Sequence, residues 1–216
     1  MPAASTAMDE DIAAPRFASR GRAYVYVLPC RDEDLLKVGF SRDPMQRFRT
    51  LHRRFFEFFD LDRGLLIEVD RVAQARRIER LFLTRWADQR AQAPLVVPTS
   101  AAGHTEWYRG IDVSVTVLAH QIAEAEALVL HEPLRKWLAG QLADRTDALY
   151  DWSERVLSEV LLEQEHAGLS GLRPFERALL DTLDMCDSAG LSLDNLVPPG
   201  VQEWYRYGPH RSLYGR

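Results

Sequence analysis

Three short runs, Tyr24-Val25-Tyr26, Lys37-Val38-Gly39-Phe40-Ser41 and Asp43-Pro44 with Arg47, set a phenol, an amine and a guanidinium close together. Glu79 follows within a helical pattern, and Glu106-Trp107-Tyr108 comes after a further loop. A phenol can relay a proton from water, cations can hold a phosphate, and a carboxylate can anchor a divalent ion. These are the groups that metal-assisted phosphodiester hydrolysis requires, provided that the fold brings them to one place.

The elements that must do so are legible in outline. Tyr24 to Leu28 is a β-branched and aromatic run, which predicts a strand. A polar loop from Pro29 to Asp34 leads to a second run, Leu35 to Phe40, giving a hairpin. Asp43 suits a helix N-cap with Pro44 at the first helical position, and the spacing of Met45, Phe48, His52 and Phe55 predicts a helix from Pro44 to about Phe56. Gly64 opens a third strand, Leu65 to Val69. A second helix, Val72 to Asp88, carries Ala75, Ile78, Phe82 and Trp86 on its inner stripe. Glu79 borders that stripe, where a carboxylate costs free energy unless it is paired or metal-bound.

The second half reads as helical. Ile111, Val115, Leu118, Ile122, Ala125 and Val129 form one apolar stripe. A long pattern runs from Pro133 through Trp137, Leu149, Trp152, Val156 and Val160, with Gly140 as its weak point, and Pro174 to Ala189 forms a helix closed by Gly190. The expected architecture is α+β: a small three-stranded, mainly antiparallel sheet flanked by helices, then an α-helical domain. Residues 1–19 read as a disordered leader, 20–110 as the sheet domain, 111–190 as the helical domain, and 191–216 as an irregular aromatic and basic tail.

Charge separates the same two halves. Residues 16–110 carry a net +6 and residues 111–216 a net −8, within an overall −5. A basic first half suits a polyanion. Two distant cysteines, Cys30 and Cys186, and six scattered histidines offer no metal-ligand spacing, and a reducing cytoplasm is the simplest compartment. No apolar run reaches the length of a membrane span.

Residues 22–110 resemble the GIY-YIG nuclease superfamily, in the branch known from phage open reading frames and a meiotically up-regulated gene product. Tyr24-Val25-Tyr26 stands for the first half-motif, and Lys37-Val38-Gly39, eleven residues on, for the second. Ser41-x-Asp43-Pro44-x-x-Arg47 is similar to the family's arginine helix, Ala75-x-x-x-Glu79 to its glutamate helix, and Glu106-Trp107-Tyr108 to its closing Glu-Trp-Phe. The resemblance implies hydrolysis of DNA, with RNA also admissible, using Mg²⁺ or Mn²⁺. It implies Tyr26 as the base for water, Lys37 and Arg47 on the phosphorane charge, and Glu79 on the metal. Tyr24, Gly39, Ser41 and His52 are the implied substrate-binding positions. Family members place His or Tyr four residues after the arginine; Leu51 stands there, with His52 turned by about 100°.

Taken singly, each residue also has a plain structural reading. Tyr26 can be a core aromatic, Arg47 a solvated charge, and Glu79 a partner of Arg76, Arg80 or Arg47. Lys37 in mid-strand fits a buried sheet less easily. Two other functions stay open: a nucleic-acid-binding module that has lost cleavage, and an interaction protein that forms a homodimer through the Ile111–Val129 face.

Overall fold

In a computed structural model, residues 21–101, 106–166 and 174–208 are described. The leader, His104, the glycines at 168 and 171, and the last eight residues of the tail lie outside them. The chain forms two units. One comprises residues up to 55 with 66–130, and the other 56–65 with 131–216.

The first unit is built on a sheet. Strand β1, Ala23–Pro29, is buried along its whole length, which is why it reads as an unbroken apolar and aromatic run. It pairs antiparallel with β2, Leu36–Ser41, in the register Tyr24 to Ser41, Tyr26 to Gly39 and Leu28 to Lys37. Helix α1, Pro44–Leu51, follows, and the Asp43 carboxylate caps it by accepting the Gln46 N–H at 2.9 Å. A single helical turn, α2 at Phe55–Phe58, leads to strand β3, Leu65–Val69. Helix α3, Val72–Arg85, packs on β1 and β2 with Ala75, Ile78 and Phe82 buried. Two short strands come next, β4 at Arg90–Ala91 and β5 at Trp107–Tyr108, then helix α4, Asp112–Ala125, which packs on β1. With β6, Val129–His131, the strands form a six-stranded sheet in the order β4-β5-β2-β1-β3-β6.

The sheet is thus twice as wide as the three strands expected. The added strands span two or three residues each, too short for an alternating pattern to register. Pairing with a longer neighbour creates them: Trp107 sits opposite Lys37, and the Val38 N–H donates to the Glu106 carbonyl at 3.0 Å.

Other boundaries moved for local reasons. Helix α1 stops at Leu51 because His52 adopts extended backbone, at φ −152° and ψ 131°, so the apolar spacing out to Phe55 spans a break. Helix α3 ends at Arg85, short of Asp88, and the residues after Trp86 form a turn of 3₁₀ helix, Ala87–Gln89. The chain leaves the sheet unit at 130/131 rather than at 110/111. Ile111, Val115 and Ile122, offered as a dimer face, are buried inside that unit, and Val129 belongs to β6.

The second unit holds α5, Leu134–Ala143, α6, Thr146–His166, α7, Pro174–Ser188, and α8, Pro199–Tyr207. The expected single helix from Pro133 to Val160 breaks at Asp144–Arg145, and Gly140 lies inside α5. The region from 191 is not irregular throughout. A 3₁₀ turn at Leu193–Asn195 and α8 pack on the helices before them, with Val201, Trp204 and Tyr205 buried. Residues 56–65 are tied to α5, since the Leu134 N–H donates to the Gly64 carbonyl at 2.7 Å. Arg135 grips Asp62 with two bonds of 2.6 Å.

Candidate active site

Side chains of directly opposed residues in an antiparallel pair share a face. The β1–β2 register therefore puts Tyr24, Tyr26, Lys37, Gly39 and Ser41 on one side of the sheet. Tyr26 is 1% exposed and meets Phe48 of α1 edge-on, with ring centroids 5.5 Å apart. Its ring also lies across Gly39. A β-carbon there would come within 2.6 Å of Tyr26 Cζ, so glycine is what lets the phenol lie flat on β2.

Arg47, in the first turn of α1, reaches the same phenol. Its Nε donates to Tyr26 Oη at 3.1 Å, while its Nη1 donates to the Ala101 carbonyl. Burial pushes the Tyr26 phenol above its ordinary range, Arg47 pulls it back, and Glu106 and Glu79 add to the rise. The guanidinium is the counterweight that a buried phenolate would need.

Lys37 is wholly buried. Its Nζ donates to Glu106 Oε2 at 2.5 Å and lies 5.8 Å from the centre of the Trp107 ring. Burial lowers the ammonium's proton affinity and Glu106 restores part of it. A buried cation needs such a partner. Glu106 was read only as part of a closing signature; the signal that identifies it as Lys37's partner is the mid-strand lysine itself, which requires an acid on the neighbouring strand.

Glu79 sits half-buried on α3. Burial first, and then the Glu106 carboxylate, push its carboxyl above the usual range, against Lys37, Arg47 and Arg76. Among the described residues it makes no side-chain hydrogen bond or ion pair. Lys37, Arg47, Glu79 and Glu106 each act on the charge of others in the set, and Arg47, Glu79 and Glu106 act on Tyr26, so β1, β2, α1, α3 and the residue before β5 converge.

Of the other predicted positions, Gly39 lies under the Tyr26 ring, while Tyr24, Ser41 and His52 make contacts of their own. Tyr24 neighbours the 2.5 Å ion pair of Arg22 and Glu68, and burial, with Glu68, raises its phenol. Ser41 shapes the entry to α1, its Oγ donating to the Asp43 carbonyl at 2.8 Å and accepting the Asp43 N–H at 3.0 Å. His52 follows the end of α1, its N–H on the Phe48 carbonyl at 3.0 Å, while Leu51 is buried in the core. Burial pushes both cysteine thiols up to about 12, so neither is a nucleophile near neutrality.

No group of three or more His, Cys, Asp or Glu side chains able to hold a metal occurs among the described residues. Mg²⁺ does not need one, because it keeps several waters and takes one or two protein carboxylates together with substrate oxygens. Glu79 fits that role: a half-buried hard-oxygen donor, without a hydrogen bond among the described residues, whose ionisation a nearby divalent charge would favour. No helix among the described residues is long and apolar enough to cross a membrane.

Fold and cluster together define an α+β sheet domain with a phenol–guanidinium pair beside a half-buried carboxylate. The T5orf172 domain family profile matches residues 23–126, just under half the chain. That span holds the whole motif string from Tyr24 to Tyr108 and runs on through α4, the helix that packs on β1. No curated protein and no solved structure matches the chain.

Proposed function

We propose that the first unit hydrolyses phosphodiester bonds in DNA with Mg²⁺ or Mn²⁺ held by Glu79, as the resemblance to GIY-YIG nucleases implies. The observation that carries this reading is the Arg47 Nε bond to Tyr26 Oη at 3.1 Å, in a cluster that also contains Glu79. Tyr26 enters the step as the phenolate, its own proton given up to solvent. As water attacks phosphorus, a P–O bond forms, the bond to the leaving ester oxygen breaks, and the water proton passes to the phenolate Oη. The Arg47 hydrogen bond stabilises that phenolate until it takes the water proton, and the neutral phenol then releases the proton to solvent. The leaving oxygen takes its proton from solvent. Glu79 would hold the divalent ion, which would supply charge neutralisation for the leaving oxygen. Lys37 acts in this scheme as a positioning residue: its ammonium is engaged by Glu106, and it offsets the repulsion between Glu106 and Glu79.

One observation favours a second reading. Tyr26 is 1% exposed, and buried Leu51 stands where the family has His or Tyr, as in a nucleic-acid-binding module without turnover. Supercoiled plasmid and single-stranded DNA, incubated with and without Mg²⁺ or Mn²⁺, separate the two. The nuclease reading expects metal-dependent nicking that falls about 10²-fold or more in Tyr26→Phe, with DNA binding kept. Binding without metal-dependent cutting by the wild type would establish the second reading.

A further inference from the structure

Helix α3 carries two exposed arginines, Arg76 and Arg80, one turn apart and therefore neighbours on the helix surface. Among the described residues neither guanidinium takes part in a hydrogen bond or ion pair. Arg77, the residue between them on the helical wheel's far flank, differs: it grips Glu126 at 2.5 and 2.6 Å, with Gln74 adding a bond of 3.0 Å. Arg76 is nevertheless held in place, its guanidinium 5.9 Å from the centre of the half-buried Phe40 ring. A cation–π contact of this kind favours the guanidinium's place beside the ring while leaving its N–H donors available.

Position then assigns a role. At about 100° per residue, Arg76 and Arg80 follow Glu79 outward from the buried stripe on the same flank of α3. Arg76 is close enough to favour the ionised form of Glu79. Two like charges one turn apart repel each other, a cost that a polyanion removes. We propose that Arg76 and Arg80 form a ridge that binds the sugar–phosphate backbone of a nucleic acid on either side of the bond presented to Glu79. The assignment rests on the function proposed above, since it takes the substrate of the same site to be a polynucleotide.

The test measures binding rather than cleavage. The full chain, in EDTA, is titrated against a labelled duplex and the matching single strand by fluorescence anisotropy over a range of NaCl concentrations. The Arg76→Ala/Arg80→Ala variant should bind about tenfold more weakly at low salt. Its plot of log affinity against log salt should flatten by about 0.9 per lost contact on duplex, or about 0.7 on single strand, which tells the two substrates apart. Arg76→Lys/Arg80→Lys should keep the wild-type slope, and Arg77→Ala should change neither quantity. An alanine variant with wild-type affinity and slope, or a wild type that binds neither strand form, overturns the ridge. The two readings fail separately. A wild type that binds through these arginines but never cuts in Mg²⁺ overturns the nuclease and keeps the ridge. A wild type that cuts, with the double-alanine variant binding unchanged, overturns the ridge alone.

Discussion

At the residue scale, the positions singled out by type and spacing are held by different forces. Tyr26 and Arg47 are held by each other, Gly39 by the ring that covers it, and Lys37 by Glu106. Gly39→Ala should therefore displace the Tyr26 ring and destabilise the fold by roughly 1–3 kcal/mol, the usual cost of overpacking. Chemical denaturation measures the loss, and an unchanged midpoint would show that the ring moves aside freely. Glu79 yields a prediction independent of catalysis. Its folded-state carboxyl lies above the unfolded value, so opposition to folding sets in above the ordinary value of 4.5 and is complete once pH exceeds the folded value. Glu79→Gln removes that opposition and should raise the melting temperature near neutrality without added metal. The gain should shrink as pH falls through the folded value and vanish below the ordinary value of 4.5, where both states carry a proton. Thermal melts across that range decide it; a gain that persists at low pH would mean that the charge is not the cause.

At the scale of elements, what the sequence disclosed depended on length and on how each element ends. β3 was read with the observed ends, and β1 and β2 to within a residue, because each is a sustained apolar run bounded by turn residues. The end of α4 was not legible, for a physical reason. The helix closes with the Leu128 N–H on the Ala123 carbonyl at 2.8 Å and the Ala127 N–H on the Glu124 carbonyl at 3.2 Å, with Ala127 at φ +52°. Glycine normally marks such a stop, and its absence let the apolar stripe read on to Val129. Ala127→Gly should accordingly stabilise the fold by about 1 kcal/mol, measurable by urea denaturation, since the left-handed conformation is strained for alanine. Destabilisation instead would show that the Ala127 methyl contributes packing that outweighs the strain. For the candidate site, the gathering of Tyr26, Lys37, Arg47 and Glu79 was legible from motif order, and mid-strand Lys37 called for an acid, whereas which acid meets it and the Ala101 carbonyl on Arg47 depend on long-range pairing. Ser41, expected at the substrate, has its hydroxyl engaged in the turn into α1, a bond set by its spacing to Asp43.

At the scale of the whole molecule, the chain order and the units do not coincide. Residues 56–65 lie between two parts of the sheet unit in sequence but belong with 131–216, and Phe59, Leu61 and Leu65 are buried there. A fragment ending at residue 130 strips that segment of its bonds to Leu134 and Arg135. It should melt at lower temperature than the full chain, or aggregate, as followed by circular dichroism and light scattering. A fragment as stable as the full chain would show that 56–65 folds without those partners. The charge asymmetry bears on substrate choice at this scale: a net +6 over residues 16–110 favours a polyanion there, and a net −8 over 111–216 disfavours one. The proposed role of Glu79 is to make the basic sheet unit a metal-dependent nuclease. Its most direct test is single-turnover cleavage of a labelled duplex in Mg²⁺ by the wild type and by Glu79→Gln, with both proteins shown to be folded. The account predicts metal-dependent cutting by the wild type and its loss in Glu79→Gln, with duplex binding retained. Cutting by Glu79→Gln at the wild-type rate, or none by the wild type in either Mg²⁺ or Mn²⁺, would contradict it.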